Sequence, residues 1–445
     1  MFYNILQDKE SKRKTEGLSI GLLKKLDSHS SGLRVELDKL LDVRSVRTFF
    51  NLLAIILMFR ERRMGLSPSG LGGYLCGHAH APAGTKRISN LLRSKEWTAN
   101  FLDKHFFDRS INRTKELLKE GRRPLLLWDD SRVEKHESWF AEGLCSVWSS
   151  KAKRLTQLRP GFYRPPKERI CVPGLKWTGV FPSTLGSGPS VCQMTWWTTK
   201  GKHKEGPDNI IWRLLSKCKK TFPKGTPHVF DRGYASEKIL NYLFQFNQGF
   251  LIGWRKNVYL LYQGKRLRID KISRKTKARF CRVIYDKERK KTRKIPVAWT
   301  KATHPEHPDN QLTLLIVRNI KHHGGPMYLM CSLDIQNAQT AWEMVRTYAH
   351  RWEAGQGFRF LRSELGIESP RLWFWDNRLK LMGILTVVYD FLLQFLRKNE
   401  QVVEILLRKY CHRTGERYRN ASIPLYRLRN AISICLIFLW AQSSG

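Results

Sequence analysis

Two aspartates that each close a short apolar run are the residues of this 445-residue chain best suited to chemistry. Leu125-Leu126-Leu127-Trp128 runs into Asp129-Asp130-Ser131. His228-Val229-Phe230 runs into Asp231, and Gly233 follows as a turn residue. Runs of this kind read as buried strands that deliver an acid at their C-terminal ends. Two such strands side by side in one sheet would bring the carboxylates together, where they could hold Mg²⁺ ions about 4 Å apart. Such ions activate a water or a 3′-hydroxyl and stabilise the leaving oxygen in phosphoryl transfer. An Asp at a strand end is also an ordinary turn residue or helix N-cap, and the two runs alone leave both readings open.

Other candidate sites are weaker. Cys76-Gly77-His78-Ala79-His80 contains metal-binding residue types, but their spacing matches no standard site. The nine cysteines are scattered singly with no CxxC pair, which excludes a zinc knuckle and fits reduced thiols in a cytoplasm. Trp254 stands beside Arg255 and Lys256. An aromatic among basic residues suits stacking on an unpaired base, and a Trp at a strand end suits a protein core equally.

The elements that must position these residues follow from periodicity. Residues 1 to about 120 read as helical, with Leu22, Leu23, Leu26, Leu33, Val35, Leu37, Leu40 and Leu41 spaced among charges and a core helix at 49–60. Ser67-Pro68-Ser69 and the Gly70–Gly73 cluster predict a loop there. A small basic helical region at an N-terminus suits DNA reading or plain packing. Strand-like pieces follow at 177–181 and 190–199, and helices over 209–220 and 235–246. Short alternating runs at 258–262, 280–285 and 311–317 predict strands again. Between Arg255 and Lys294 there are 17 Lys or Arg against 3 acids, the most basic stretch of the chain. Helical patterning returns over 338–365 and 377–398.

Charge narrows the function classes. Lys and Arg total 80 against 38 acids, a net charge of +42 spread along the chain, and 42% of residues are hydrophobic. The apolar content excludes a disordered chain. The charge calls for a polyanion, with nucleic acid first and a merely sticky, ribosome-like basic protein second. The apolar runs at 49–59, at 381–396 (broken by Asp390 and Gln394) and at 431–440 read as buried helices, so no membrane partner is expected. Met1–Lys14 is mixed and charged and lacks a secretory pattern, which points to the cytoplasm.

The segment Tyr348-Ala349-His350-Arg351-Trp352 opens a long helix running through Arg362. With it, the chain resembles the DDE transposases of bacterial insertion sequences, the cut-and-paste kind with a β-strand insertion domain. That family carries a helix signature of Tyr, two residues, Arg, three residues, Glu, six residues, Lys. Tyr348 and Arg351 match, and Arg362 falls on the Lys position. Trp128-Asp129-Asp130-Ser131 and Phe230-Asp231-Arg232-Gly233-Tyr234 resemble the other two motifs. The resemblance covers roughly residues 120–396. It implies an α/β fold: an RNase H-like catalytic core interrupted by a β-rich insertion, with helical N- and C-terminal regions. Residues 1–120 would be a DNA-binding region, 121–250 the first part of the core, 251–335 the basic insertion, 336–398 the final core helices and 399–445 a helical C-terminal region. Asp129 and Asp231 would be the first two acids, holding two Mg²⁺ or Mn²⁺ ions. Tyr348, Arg351 and Arg362 would grip phosphates, and Trp254, Arg255 and Lys256 would add DNA contacts. The implied activity is cleavage and strand transfer at terminal inverted repeats, by a homodimer on double-stranded DNA that also engages target DNA in a bacterial nucleoid. The resemblance favours Asp129 over Asp130, because the family's first acid directly follows the apolar strand and precedes a small polar pair; Asp130 would then point away, since strand neighbours alternate faces.

One position departs from the signature: its Glu is Gly355 here. At about 100° per residue, Tyr348, Arg351, residue 355 and Arg362 share one helix face, while Glu353 and Glu364 lie nearly opposite. Gly355-Gln356-Gly357 is a poor helical stretch, and a local break there would bring Glu353 round as the third catalytic and metal-binding acid. Glu353 is therefore the expected third ligand. The alternatives are a catalytically impaired or domesticated relative that binds DNA without cutting, and a nuclease of the same fold that does not join strands.

Overall fold

The computed structural model describes residues 9–60, 65–138, 140–151, 170–286, 291–318, 325–410 and 425–443. Lys287–Lys290 of the basic stretch and Cys411 lie outside the described residues. The fold is mixed α/β, with helices at both ends of the chain around one twelve-stranded mixed sheet.

The N-terminal helices are α1 (Lys9–Leu37), α2 (Val43–Met58), α3 (Pro68–Cys76), α4 (Ala81–Arg93) and α5 (Ala99–Lys119). Helix α3 replaces the loop predicted from Ser67-Pro68-Ser69 and the glycine cluster. Ser67 is its N-cap, accepting from the Gly70 amide, and Pro68 opens its first turn. The glycines serve close packing: a Cβ on Gly84 of α4 would lie 2.1 Å from the Gly72 carbonyl oxygen of α3. Turn-forming composition here encodes a tight helix pair.

The sheet strands are β1 (Leu125–Glu134), β2 (Cys145–Trp148), β3 (Cys171–Ser183), β4 (Gln193–Trp197), β5 (His228–Phe230) and β6 (Phe250–Trp254). Strand β1 pairs antiparallel with β3 along its length and parallel with β5, and β5 pairs parallel with β6. Strands β2 and β4 both pair with β3. Antiparallel strands on one flank of β1 and parallel strands on the other form the core of the sheet, the mixed arrangement expected of it. Beyond β6 the sheet continues through the insertion: β7 (Tyr259–Tyr262), β8 (Lys265–Arg268), β9 (Phe280–Asp286), β10 (Lys291–His304), β11 (His307–Val317) and β12 (Met327–Cys331). Strand β12 pairs with β6, so the insertion extends the core sheet directly.

Alternation along the strands splits the core in two. Leu125, Leu127 and Val229 face one hydrophobic cluster, and Leu126, Trp128 and Phe230 face the other. The second cluster is covered by α6 (Pro207–Thr221) and α7 (Glu237–Gln245); a short helix, α8 (Ile269–Lys275), packs within the insertion. The first cluster is covered by α9 (Ala338–His350), α10 (Trp352–Ser363), α11 (Trp375–Lys398), α12 (Glu400–Tyr410) and α13 (Leu425–Ser443), together with the N-terminal helices. Helix α11 is the one described helix long and apolar enough to cross a membrane, and 78% of its most apolar window is buried within the protein. Its Asp390 is fully buried and ion-paired with Arg109 of α5 and His29 of α1.

Candidate active site

Register alone brings the two aspartates level. Leu127 of β1 pairs with Val229 of β5 in parallel, so two residues further on, Asp129 and Asp231 emerge side by side on the same face. The strands are locked one step back, where the Trp128 indole Nε1 donates to His228 Nδ1 at 2.9 Å. Burial lowers the pKa of His228 to about 4, which keeps the ring neutral and able to accept. Asp130 turns to the other face, where the Tyr234 hydroxyl donates to it at 2.5 Å. Burial and the nearby carboxylates hold the Tyr234 phenol well above its usual pKa, so it keeps its proton.

Arg351 bridges the pair. Its guanidinium lies 3.5 Å from Asp129 Oδ1 and 3.2 Å from Asp231 Oδ1, and the residue is 8% exposed. Its Nε has no hydrogen-bond partner among the described residues. Burial raises the Asp129 carboxyl to about 7, with Asp231 and Asp130 adding to the rise and Arg351 opposing it. Two carboxylates crowded on one face share a single fixed cation.

Helix geometry explains how Arg351 arrives there. The Arg351 amide donates to the Tyr348 carbonyl and the Ala354 amide to the Arg351 carbonyl, at 3.2 and 3.0 Å, so the chain tightens between α9 and α10 while staying helical at φ −53°, ψ −31°. Helix α10 then passes over β1 with Gly355 facing Asp129: a Cβ at 355 would sit 2.9 Å from Asp129 Oδ2. Two residues on, a Cβ at Gly357 would lie 2.0 Å from the Tyr389 hydroxyl. Gly355 lets the helix approach the sheet closely, and Gly357 lets it approach α11.

The break expected at Gly355 does not occur, and Glu353 is not brought to the aspartates. Its Oε1 lies 3.1 Å from His350 Nδ1, and His350 Nε2 lies 2.7 Å from the Ser183 hydroxyl. The tightened turn falls before Glu353 and leaves it turned away from β1, as ordinary helix geometry requires. No group of three or more His, Cys, Asp or Glu residues able to hold a metal ion occurs among the described residues, at Cys76–His80 or elsewhere.

The remaining expected residues divide. Tyr348 lies over β6: its hydroxyl would be 2.2 Å from a Cβ at Gly253, and burial pushes its phenol up to about 12. The Arg351 guanidinium sits 5.6 Å from its ring centre. Arg362 is half-buried in the last turn of α10. Trp254 is 3% exposed inside the second core cluster, so it is not presented to a base. It ends β6, where alternation turns it inward. Arg255 and Lys256 follow on an exposed turn. Residue types alone gave no sign that Arg351 would contact both acids, since the two acids and the arginine come from three separate segments.

Residues 199–391 match the family model of the transposase DDE domain. The match is less than half of the chain. It takes in Asp231, Tyr348, Arg351 and Gly355 and begins after Asp129. Among solved structures, the cryo-EM structure of the piggyBac transposase synaptic complex with hairpin DNA is similar over 91% of this chain and 73% of that one, at 12% identity and a TM-score of 0.42. No curated protein matches the chain.

Proposed function

We propose that this chain is a DNA transposase whose catalytic centre is Asp129 and Asp231, served by Arg351. The observation that carries this reading is the meeting of two strand-end carboxylates and one buried guanidinium within a chain whose second acid and arginine fall in the matched transposase segment. Level hard-oxygen donors on parallel strands fit a divalent cation that keeps water in its remaining positions. They do not complete a set for two ions, because position 355 offers no oxygen. Mg²⁺ or Mn²⁺ held by Asp129 and Asp231 would supply Lewis acidity at a scissile phosphate. Arg351 neutralises the pair before DNA arrives and, once it turns, offers its fork of donors to a phosphate oxygen. Tyr348 near the end of α9, Arg362 in the last turn of α10, and Arg255 and Lys256 on the insertion turn extend that grip. Residues 1–120 and 251–335 would supply DNA contacts around the core. The substrate is double-stranded DNA ending in inverted repeats, joined to target DNA by a homodimer in a bacterial cytoplasm.

The test is cleavage of DNA from the flanks of the gene itself with Mg²⁺ or Mn²⁺. Asp129→Ala and Asp231→Ala should abolish cutting and leave DNA binding intact or slightly tighter, since each removes a negative charge. A variant that cuts as well as the parent takes its residue out of the site.

Gly355 favours a second reading, a DNA-binding protein of transposase descent that does not cut. A parent protein that binds the repeats but releases no product with either ion establishes that reading instead.

A further inference from the structure

Two consecutive aromatics, Trp373 and Phe374, stand 59% and 54% exposed on the loop entering α11. Stability alone would place them inside. The loop that carries them is nonetheless tightly held. Arg378, 1% exposed, donates to the carbonyl oxygens of Leu372, Trp373 and Glu142 at 2.9–3.2 Å. Lys135, 4% exposed, donates to those of Glu368 and Pro370 at 2.7 and 2.6 Å. The Glu142 amide donates to the Trp373 carbonyl at 3.0 Å. Burying two basic side chains is costly, and here it secures a backbone whose aromatic side chains point out of the core. Exposed apolar area on a pre-set frame is the mark of a binding surface.

The chemistry beside the aromatics identifies the ligand. They border an open cleft of about 620 Å³ between α4 and this loop, also lined by Arg93, Arg371, Ser89 and Asn377, with no acid among the described residues that line it. Arg93 is exposed in the last turn of α4, and Arg371 pairs at its outer edge with Glu137 at 2.6 Å. Aromatic faces flanked by guanidiniums, hydroxyls and an amide match a nucleotide, which has a π-face, a hydrogen-bonding edge and an anionic phosphate. The geometry points to this cleft as the seat of an unpaired DNA nucleotide. Its base stacks on Trp373 and Phe374, and its phosphate lies on Arg93 and Arg371. The inference rests on the DNA reading above and adds to it a site separate from the aspartate pair.

Anisotropy titrations of the full chain with a blunt duplex, and with the same duplex carrying an unpaired tail that contains 2-aminopurine, test it. The parent should prefer tailed DNA and change the 2-aminopurine fluorescence. Trp373→Ala should weaken tailed binding on the order of 10- to 100-fold and abolish the fluorescence change, with blunt binding within about twofold. Trp373→Phe should keep most of the preference, and Arg93→Gln should lower the salt slope on tailed DNA by about 0.7. Tailed binding by Trp373→Ala equal to the parent's overturns the proposal and leaves the DNA reading standing. If that variant also loses self-association, the aromatics are instead a contact between copies of the chain. A parent that binds neither DNA in a salt-dependent way overturns both.

Discussion

Position 355 is where one residue type decides most. A side chain there would begin 2.9 Å from Asp129 Oδ2, so a glutamate would join the aspartates after a small swing of the Asp129 carboxylate. Arg351 already lies between the two acids as countercharge. Each missing electrostatic interaction at a phosphoryl-transfer site costs about 100- to 1000-fold in rate. Gly355→Glu should therefore raise Mg²⁺-dependent cleavage and metal affinity, helped by a helix propensity about 1 kcal/mol better than that of glycine. Glu353→Gln should leave cleavage unchanged. It loses a part-exposed ion pair with His350, at a stability cost of about 1 kcal/mol or less. Parallel cleavage and calorimetric metal titrations decide the matter. Loss of cutting in Glu353→Gln, with no gain in Gly355→Glu, would mean that the helix rearranges on DNA and Glu353 is the third acid.

At the scale of elements, the site is held by helices pinned through charge as well as packing. Asp390 of α11 is fully buried and meets Arg109 of α5 and His29 of α1, and its second oxygen accepts from the Val191 amide at 3.3 Å. Burial raises its pKa, but Arg109 and His29 outweigh burial and the net shift is downward. Its folded pKa lies below its unfolded value, so its contribution is present above about pH 4 and fades as pH falls toward the folded value. Asp390→Ala, which leaves the part-exposed Arg109 guanidinium to solvent and the Val191 amide without its acceptor, should cost about 1–3 kcal/mol at pH 7. Urea unfolding of parent and variant should show that difference shrinking below pH 4. A difference independent of pH would mean that the loss is one of packing. Because α11 lies against α10 through Tyr389 and Gly357, a loosened α11 should also lower cleavage.

The whole molecule carries a net charge of +42, and on the proposed reading it would meet DNA through many weak contacts. Affinity should fall by orders of magnitude between about 50 and 200 mM salt. The exposed turn after β6 tests whether the insertion joins in: Arg255→Gln with Lys256→Gln should lower the salt slope by about 0.9 for each phosphate that is no longer neutralised. An unchanged slope in the double variant places that turn away from DNA. A flat response in the parent would remove nucleic acid as the partner altogether.

The local pattern of the chain was enough to read most of its elements and the strand ends that carry Asp129 and Asp231. Apolar runs ending in Asp129 and Asp231 predicted buried strands, and strand alternation put Asp129 and Asp130 on opposite faces. Helical spacing put position 355, and not 353, on the face of Tyr348 and Arg351. All of these follow from backbone repeats of two and 3.6 residues, which any stretch of sequence displays by itself. Other features depended on tertiary structure. The glycines at 70–73 read as a loop until α4 packed onto them. Trp254 read as a candidate for base stacking until β12 and the insertion closed over it. Arg351 gave no sign that it would bridge both acids until β1, β5 and the α9–α10 turn converged on it. Trp373 and Phe374 gave no signal until Arg378 and Lys135 fixed the loop that exposes them. Each of these outcomes depends on groups far apart in the chain meeting in space. Burial, charge pairing and close approach belong to such meetings, and residue type and spacing along one segment do not record them.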